Sequence, residues 1–526
     1  MFLVGFTGNT TLPTTFTSAI EQFKFGNIIY FQENVEPYQT LSSLTNSVQS
    51  TITTNTNIPA FISIDQEGGR VARLIKGGTH FISAMGISAT NNVSNCYALG
   101  NAMGKELYNY GINVDFTPVL DVNNNPFNPI IGIRSYSDNP INVATYGNAM
   151  HKGLNASNVI SCVKHFPGHG NTNVDSHVGL PTVNASLNEL YQMEFAPFIS
   201  AISNGIDALM TTHIVFNAVD SKYPATLSHT VLTSLLRDTF HYEGVVFTDG
   251  MEMGAVTSKY GGYDNTALLA VNAGVDVLTY TTHGDNPQIA YNAILNAVKN
   301  GTISVERIDA SVRRILLAKS KYGILQQQEA PDDDISEMLQ QHEAMNQRFA
   351  EESITIVKGK AEFNGIDKTK RTIIVSPVKD KTVVIDVNVT MNSFAEYACM
   401  YLKNNGMSGD CDVRIINANM TEGNVSECVD VVKSYEQVVI AVSNVQTNGY
   451  VHTAEFVNKV LDLTNVNVVV IALDMPYDIM QYNKHKLTTY ICAYNYQRAT
   501  VIALSKLLNG ETTANGVLPL NKTLFE

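Results

Sequence analysis

Short apolar runs of strand length recur along the first 325 residues and alternate with longer segments of helical periodicity. The runs are rich in β-branched and aromatic residues, which is typical of strands that are buried on both faces. They comprise FLVGF from Phe2, NIIYF from Asn27, AFISID ending at Asp65, INVDFTPV from Ile112, VISCVKHF from Val159, DALMTTHI from Asp207, GVVFTD ending at Asp249 and VDVLTY from Val275.

The segments between these runs place apolar residues near the helical period, as in LYQMEFAPFISAI from Leu190 and VLTSLLRDTF from Val231. Strands that alternate with helices in this way indicate βαβ units and a parallel sheet. We therefore predict an α/β protein whose residues 1–325 form a (β/α)8 TIM-type barrel, with an open doubly wound sheet as the alternative.

The pattern changes after the barrel segment. A polar stretch, QQQEAPDDD from Gln326, is followed by a helical pattern, and we predict a linker and connecting helix over residues 326–350. A second series of strand-like runs predicts a smaller α/β (αβα) sandwich domain over residues 351–526. Its runs are TIIVSP, TVVIDV, DVRIIN, QVVIAVSN, VNVVVIAL and TTYICAYN.

Length and charge agree with this organisation and narrow the function classes. A chain of 526 residues is long enough for two domains, and 44% hydrophobic with 16% charged residues is typical of a globular protein. The formal net charge of −14 argues against a nucleic-acid partner and against docking on anionic membranes. No apolar run reaches the length of a membrane span, and the sequence leaves the oligomeric state open.

The six cysteines are scattered and show neither a CxxC pair nor a zinc spacing, which favours free thiols in a reducing compartment. The N-terminal stretch MFLVGFTGNTT has no charged region before its apolar residues, unlike a signal peptide. We therefore expect a cytoplasmic protein; secretion after removal of a leader is the alternative.

Ionisable residues stand where the predicted barrel strands end. Asp65 closes the third run, Lys164 and His165 close the fifth, His213 follows the sixth and Asp249 closes the seventh. Active sites of parallel barrels lie at the carboxyl ends of the strands. A single charged strand end is usually a solvated cap, but several in one chain favour a shared pocket and an enzyme.

The segment Lys164–His177 concentrates three histidines, a lysine and an aspartate in a glycine-rich loop. Such a density of titratable groups indicates function rather than an incidental turn. A metal site built from His165, His169 and His177 is an alternative, but their spacing matches no zinc signature. We expect neither a metal nor a cofactor.

Three segments together resemble glycoside hydrolase family 3, in particular its β-N-acetylglucosaminidase branch. They are KHFPGHG-x-T-x-x-DSH at residues 164–177, IDQEGGRVARL at residues 64–74 and FTDGMEMGAV at residues 247–256. Further matching pieces are IGIRSYSDNP at residues 131–140, MTTHIVF at residues 210–216 and PATLS at residues 224–228. The resemblance covers the first domain, and the second domain matches the family's sandwich in position and pattern.

The resemblance implies a double displacement through a covalent glycosyl-enzyme, with Asp249 as nucleophile. A carboxylate suits this role because it is anionic at neutral pH and stabilises an oxocarbenium-like transition state before it forms a bond. The branch usually has a second aspartate at the next position, where this chain has Gly250.

The same resemblance implies that His177 is the acid/base and that Asp175 orients and polarises its imidazole. An imidazole titrates near neutrality, so both protonation states are accessible in one catalytic cycle. Two side chains at i and i+2 of a loop meet only if the loop turns, so we expect this loop to close on the substrate.

Sugar recognition carries over to charged and polar positions that suit hydrogen bonding to ring hydroxyls. These positions are Asp65, Arg134, Lys164, His165 and His213. In the QEGGR turn, Glu67 and Arg70 are expected to tie the loop to the barrel. Asn171 stands where aspartate is common in the family, and we expect it to lie behind the pocket.

The sequence therefore predicts a retaining exo-β-N-acetylglucosaminidase that acts on a small carbohydrate, either a peptidoglycan fragment or a chitooligosaccharide. Alternatives within the family are a β-N-acetylglucosaminide phosphorylase and a broader β-glucosidase that takes its acid/base, for example Glu455, from the second domain. A non-catalytic sugar-binding protein is a further alternative.

Overall fold

In the computed structural model, residues 1–172, 179–326, 329–331, 334–359, 363–378 and 393–526 are described. Of the ten strands described in the first half, eight fall within the predicted runs, whereas Thr182–Val183 and Val215–Phe216 were not predicted. The ten strands are β1 Phe2–Val4, β2 Asn27–Tyr30, β3 Phe61–Ile64, β4 Val114–Asp115, β5 Ile160–Phe166, β6 Thr182–Val183, β7 Ala208–Thr211, β8 Val215–Phe216, β9 Val245–Phe247 and β10 Leu278–Tyr280.

Eight of these strands form one parallel sheet in the order β10-β1-β2-β3-β4-β5-β7-β9. β1 pairs with β10, and a parallel bridge between Phe247 and Val277 connects β9 to the entry of β10. The sheet is therefore nearly closed on itself. The predicted barrel is confirmed, and the alternative of an open doubly wound sheet is wrong for this half.

The barrel interior is a packed core rather than a pore. Leu3, Ile29 and Phe61 belong to the cluster inside the barrel, whereas their neighbours Val4 and Ile28 belong to the layer between strands and helices. This alternation explains the almost continuously apolar strands, because both faces of the sheet are covered.

Helices cover the outside of the barrel, and polar residues cap several of them. Asn139 accepts hydrogen bonds from the amides of Ile141 and Asn142, and Ser304 accepts one from Arg307, so each satisfies exposed N–H groups of a first turn. The helices are α1 Thr14–Phe23, α2 Tyr38–Thr56, α3 Ala84–Ala89, α4 Val93–Asn109, α5 Pro140–Asn155, α6 Leu187–Gln192, α7 Phe195–Ser203, α8 Gly254–Lys259, α9 Gly262–Ala273, α10 Asp285–Lys299, α11 Val305–Lys321 and α12 Ser336–Ser353.

Shorter helical turns interrupt the loops of the barrel. The 3-10 turns are Gln32–Asn34, Gly132–Arg134, Ala225–Leu227 and Ile324–Gln326, and Thr230–Thr239 is a π-helix. Among the helices of the described ranges, none combines the length and the apolar character needed to cross a membrane.

The second domain is built on a separate sheet with the order β11-β16-β15-β14-β12-β13. Five strands are parallel, and β11 pairs antiparallel with β16 at one edge. The strands are β11 Thr355–Lys358, β12 Thr372–Pro377, β13 Cys411–Ile416, β14 Gln437–Val442, β15 Asn467–Ala472 and β16 Thr489–Cys492. The predicted strand TVVIDV, residues 382–387, lies outside the described residues.

Helices on both faces of this sheet complete the predicted sandwich. They are α13 Phe394–Asn404, α14 Glu422–Val432, α15 Val445–Asn448, α16 Val451–Leu461 and α17 Arg498–Leu508, with 3-10 turns Pro476–Gln481 and Lys522–Leu524. α14 and α16 pack together, while α13 and α17 pack against each other. α12 contacts α17 as well as α3 and α4, so it packs against both domains.

One expectation about cysteine fails. Cys399 in α13 and Cys411 in β13 form a disulfide, because helix and strand pack with the two Cα atoms 5.8 Å apart. Spacing along the chain does not reveal this proximity. The remaining thiols are free and buried, at Cys96, Cys162, Cys428 and Cys492.

Candidate active site

The carboxyl ends of β3, β5 and β9 meet at one mouth of the barrel. Asp65 directly follows β3, Lys164 and His165 lie in β5, and Asp249 follows β9. The Lys164 Nζ atom lies 2.7 Å from Asp65 Oδ1. Lys164, His165 and His213 all lower the pKa of Asp249. The structure thus brings five of the predicted site residues together.

A buried ion cluster forms the floor of this site. Lys164 Nζ pairs with Glu67 Oε1 at 2.6 Å as well as with Asp65, and only 2% of the Lys164 side chain is exposed. Burial lowers the pKa of Lys164, but the carboxylates of Asp65 and Glu67 raise it by more than burial lowers it. The pKa of Lys164 therefore lies above its usual value. The ammonium group is therefore charged and fixed in position.

Arg134 completes the cluster from the loop that joins β4 to α5. Its Nε and one terminal nitrogen each donate to Glu67 at 2.8 Å, a bidentate arrangement. Burial raises the pKa of Glu67, but Arg134 and Lys164 together lower it well below its usual range. Glu67 ties its loop to the barrel as expected, and it also lies between two cations of the site.

His165 is held by Asp121, a residue that the sequence analysis missed. Asp121 Oδ2 lies 2.7 Å from His165 Nδ1. Asp121 Oδ1 accepts hydrogen bonds from the backbone amides of His165 and His169. Burial raises the pKa of Asp121, but His165 and His169 lower it below its usual value. Nδ1 of the ring points to this carboxylate. The other ring nitrogen, Nε2, lies 3.4 Å from a terminal nitrogen of Arg134. The only signal in the sequence was an aspartate within the apolar stretch TPVLDV.

Asp249 lies at the start of the turn after β9 and is half-buried. The Gly250 amide donates to Asp249 Oδ1 at 2.8 Å. Burial raises the pKa of Asp249, but His165, His213, the Gly250 amide and Lys164 lower it below its usual value. The group is therefore a carboxylate at neutral pH.

His213 lies beneath the turn that follows Asp249. Its Nε2 is 3.0 Å from the Gly250 carbonyl oxygen, and its Nδ1 is 2.9 Å from Thr226 Oγ1. The side chain is fully buried. His213 therefore fixes the position of the turn that carries Asp249.

Asp175 and His177 lie outside the described residues, so their predicted roles stay predictions. The described residues on either side of them are anchored at the barrel mouth. The buried Asn128 side chain donates to the carbonyls of His169 and Gly170 and to Thr172 Oγ1. On the far side, β6 pairs with β8.

Asn171 hydrogen-bonds to Glu194, a buried carboxyl that also accepts from Asn124 at 3.2 Å. Burial raises the pKa of Glu194. An amide at position 171 donates to this group, whereas an aspartate would place a second carboxylate beside it. Asn171 therefore suits its neighbour Glu194 better than the aspartate that is common at this position in the family.

Arg70 and Glu455 lie outside the ion cluster, and each has partners elsewhere in the protein. Arg70 was expected to tie its loop to the barrel, but its guanidinium hydrogen-bonds to Asn444 of the second domain. Glu455, the rival acid/base, is paired on α16 with Lys459 at 2.8 Å and His452 at 3.2 Å. These partners lower the pKa of Glu455, which is the wrong direction for a general acid.

The described residues contain no group of three or more His, Cys, Asp and Glu side chains arranged to hold a metal ion. The charged atoms at the barrel mouth instead satisfy one another, cation against carboxylate. This arrangement suits the hydrogen bonding of a polar ligand.

Comparison with known proteins extends these observations. The model of the glycosyl hydrolase family 3 N-terminal domain matches residues 9–318. A β-hexosaminidase A from Pseudoalteromonas piscicida is 38% identical over 335 residues, 59% of this chain and 56% of that protein. This chain therefore spans just over half the length of that curated relative.

A β-hexosaminidase from Neisseria meningitidis is 36% identical over 270 residues, 49% of this chain and 72% of that protein. Among solved structures, a glycoside hydrolase family 3 β-N-acetylglucosaminidase from Paenibacillus sp. str. FPU-7 matches with a TM-score of 0.89 and 34% identity. That match covers 99% of this chain and 98% of the other, so the similarity includes both domains.

Proposed function

Because this chain belongs to glycosyl hydrolase family 3, we propose that it is a retaining exo-β-N-acetylglucosaminidase that releases terminal β-linked N-acetylglucosamine. The observation that carries the proposal is the ionised Asp249 carboxylate, which stands beside a fixed set of buried charged groups at the barrel mouth. The β-hexosaminidases and the β-N-acetylglucosaminidase structure among its relatives support the choice of sugar.

Asp249 is the nucleophile in this proposal. Its carboxylate attacks the anomeric carbon, and the bond between that carbon and the leaving oxygen breaks with its electron pair moving to the oxygen. The low pKa of Asp249 keeps the attacking oxygen unprotonated. The Gly250 amide and His213 hold the turn in place, so little rearrangement precedes attack.

The buried ion cluster is the proposed binding site for the sugar hydroxyls. Lys164 has three N–H donors, and Asp65 and Glu67 engage two of them; among the described residues the salt bridges leave the third for a ligand. Asp65 and Arg134 supply a further acceptor and further donors around the same space. Because these groups fix one another, they present hydrogen bonds in a preorganised geometry.

His177 is the proposed acid/base, with Asp175 orienting its imidazole. In the first step it donates a proton to the leaving oxygen, and in the second it takes one from the water that releases the sugar. Both side chains lie outside the described residues; the chain on either side of them is anchored, by Asn128 at His169 and by the β6–β8 pair at residues 182–183. Glu455, which is half-buried and ion-paired, is a poorer candidate.

The proposal is tested by trapping the intermediate with a fluorinated N-acetylglucosaminyl analogue and identifying the labelled peptide. We expect the label on Asp249. Asp249→Ala should lower kcat on an aryl β-N-acetylglucosaminide by about 10³-fold or more, since it removes the nucleophile. Asp238→Ala, an exposed aspartate of the same barrel, is the matched control.

Two results would contradict the proposal: a label on another residue, or full activity of Asp249→Ala. Adding inorganic phosphate to the same assay separates hydrolysis from phosphorolysis. Free N-acetylglucosamine is expected with and without phosphate, whereas a sugar 1-phosphate would favour the phosphorylase alternative.

A further inference from the structure

Two fully buried aspartates lie close together in the segment VDFTPVLD, and their surroundings are opposite. Asp121 accepts hydrogen bonds from two backbone amides and pairs with His165. Asp115, the last residue of β4, accepts the Gln66 amide on Oδ1 at 2.9 Å. Its Oδ2 has no hydrogen-bond partner within the described ranges. Asp121 therefore has the bonds that stabilise a carboxylate, whereas Asp115 lacks them.

A negative charge on Asp115 would also lack a cation. The two cations of the ion cluster, Lys164 and Arg134, are already paired with Asp65 and Glu67. In the described part of the chain, no ion pair includes Asp115. An ionised Asp115 would be a third negative charge beside two cations that two carboxylates already balance. Burial of such a charge costs far more free energy than burial of a neutral acid.

The ionisable groups that act on Asp115 or respond to it come from three neighbouring elements. They are Lys164 and Cys162 of β5, Asp65 and Glu67 of the loop after β3, and Tyr136 of the loop between β4 and α5. Burial raises the pKa of Asp115 most, the Gln66 amide and Lys164 lower it, and the two carboxylates raise it again. The pKa of Asp115 therefore lies well above its usual value. Burial likewise raises the pKa values of Cys162 and Tyr136, so both are uncharged at neutral pH.

The acceptor atom of Asp115 holds the turn that carries the cluster's carboxylates. Gln66 stands between Asp65 and Glu67, and its backbone amide is the donor to Asp115. The Gln66 side chain is held as well, since its Oε1 accepts two backbone amides of the same loop. β3 and β4 pair at the same level, with Ile64 opposite Asp115. Loss of this acceptor would therefore free the backbone between Asp65 and Glu67.

From these observations we infer that Asp115 is a positioning residue of the sugar site and that it acts as a neutral carboxylic acid. Its Oδ1 fixes the turn between Asp65 and Glu67, and its proton prevents a third negative charge beside Lys164. The inference rests on the proposed function, because Asp65 is there a sugar-binding group. Asp115 acts through the turn and does not touch the substrate.

Two substitutions separate the acceptor atom from the charge. Asp115→Asn keeps an oxygen acceptor for the Gln66 amide and carries no charge, whereas Asp115→Ala removes the acceptor. Asp115→Ala should lower kcat/KM on an aryl β-N-acetylglucosaminide about tenfold, mainly through KM. Asp115→Asn should recover most of this loss, and equal losses in both variants would contradict the inference. Asp238→Asn, at an exposed position, is the matched control.

The protonation state is measured without turnover by infrared difference spectroscopy of wild type against Asp115→Asn at neutral pH. We expect wild type to show the carbonyl band of a protonated carboxylic acid, which the variant loses. A carboxylate band in its place would overturn the inference. Asp121→Asn provides the reference for a buried aspartate whose pKa is lowered, and its difference spectrum should show the loss of a carboxylate.

Unfolding gives an independent measure of the same proton. The pKa of an aspartate in the unfolded chain is about 3.9, and the pKa of folded Asp115 is raised, so unfolding near neutral pH releases a proton. The stabilisation from a raised pKa is complete below the unfolded value and is lost as the pH rises. Relative to Asp115→Asn, the unfolding equilibrium constant of wild type should therefore increase about tenfold between about pH 6 and pH 7.

A ratio of the two unfolding constants that does not change with pH would overturn the inference. Urea denaturation measures both constants, and Asp238→Asn should show no such dependence on pH relative to wild type. Neither the infrared spectrum nor the unfolding constant requires enzyme activity. A failure of the proposed function in the aryl glycoside assay is therefore distinguished from a failure of the role of Asp115.

Discussion

At the scale of single residues, the buried carboxylate of Glu67 forms ion pairs with two cations, Lys164 and Arg134. Ion pairs at exposed surfaces contribute little, whereas loss of one partner from a buried set leaves charges without compensation. The two cations of the site therefore depend on Glu67 for their stability. Asp121 is likewise a buried carboxylate, and it pairs with His165.

Glu67→Gln should lower the free energy of unfolding by about 3–5 kcal/mol at neutral pH, because two buried cations lose their shared carboxylate. Equilibrium urea denaturation measures the change, and Glu21→Gln, at an exposed position of α1, is the control. A loss equal to that of the control would contradict the role of the cluster.

Wild type and Glu67→Gln also test how the contribution of Glu67 to the free energy of unfolding depends on pH. The pKa of Glu67 is lowered in the folded state, so its contribution is complete above the unfolded-chain value of about 4.3. It is lost as the pH falls through the folded pKa. The difference in unfolding free energy between wild type and Glu67→Gln should therefore narrow as the pH is lowered below about 4.

At the scale of elements, the loop between β4 and α5 anchors the loop that follows β5. Asn128 is fully buried, and its side chain donates to two carbonyls and a hydroxyl of residues 169–172 while it accepts from the amides of Ile130 and Ile131. One side chain thus connects the loop that carries Arg134 with the base of the predicted acid/base loop.

Asn128→Asp should selectively weaken protonation of the leaving group, because a carboxylate would face the carbonyls that the amide now binds. We expect kcat to fall about 10-fold or more on chitobiose and less on an activated aryl glycoside, which needs little acid assistance. Asn204→Asp, at the exposed end of α7, is the control. Equal losses on both substrates would indicate a general loss of structure instead.

At the scale of the whole molecule, α12 couples the two domains. Asn346 in this helix accepts from the Ile82 amide at 3.0 Å and donates to the His80 carbonyl at 2.9 Å, both in the loop that follows β3. Ser83, Gln497 and Arg70 join the same loop to the second domain. The loop that follows β3 is therefore held by both domains and by the helix between them.

Asn346→Ala should lower the free energy of unfolding by about 1–3 kcal/mol, since it leaves a buried amide and a buried carbonyl without partners. It should also raise KM, because Asp65 and Glu67 lie on the same loop, which loosens. Gln341→Ala on the exposed face of the same helix is the control. Unchanged stability with unchanged KM would argue against coupling through α12.

The sequence by itself determined the order and type of the main elements, since the period of apolar residues is a local property. All eight barrel strands fall within predicted runs, and the family is confirmed by its domain model. The edge strand β11 was not predicted, because its four residues TIVK are only partly buried and carry a weak pattern. The roles of Asp249, Asp175 and His177 stay predictions.

Only the tertiary structure decided which charged and polar groups meet. Asp121 and His165, Glu67 and Arg134, and Arg70 and Asn444 are distant in sequence, and no periodicity relates their positions. Their contacts follow from barrel closure and from the packing of the second domain against one loop. Apolar burial acts through every residue of an element and is visible in its pattern, whereas an ion pair depends on two side chains that the fold brings together.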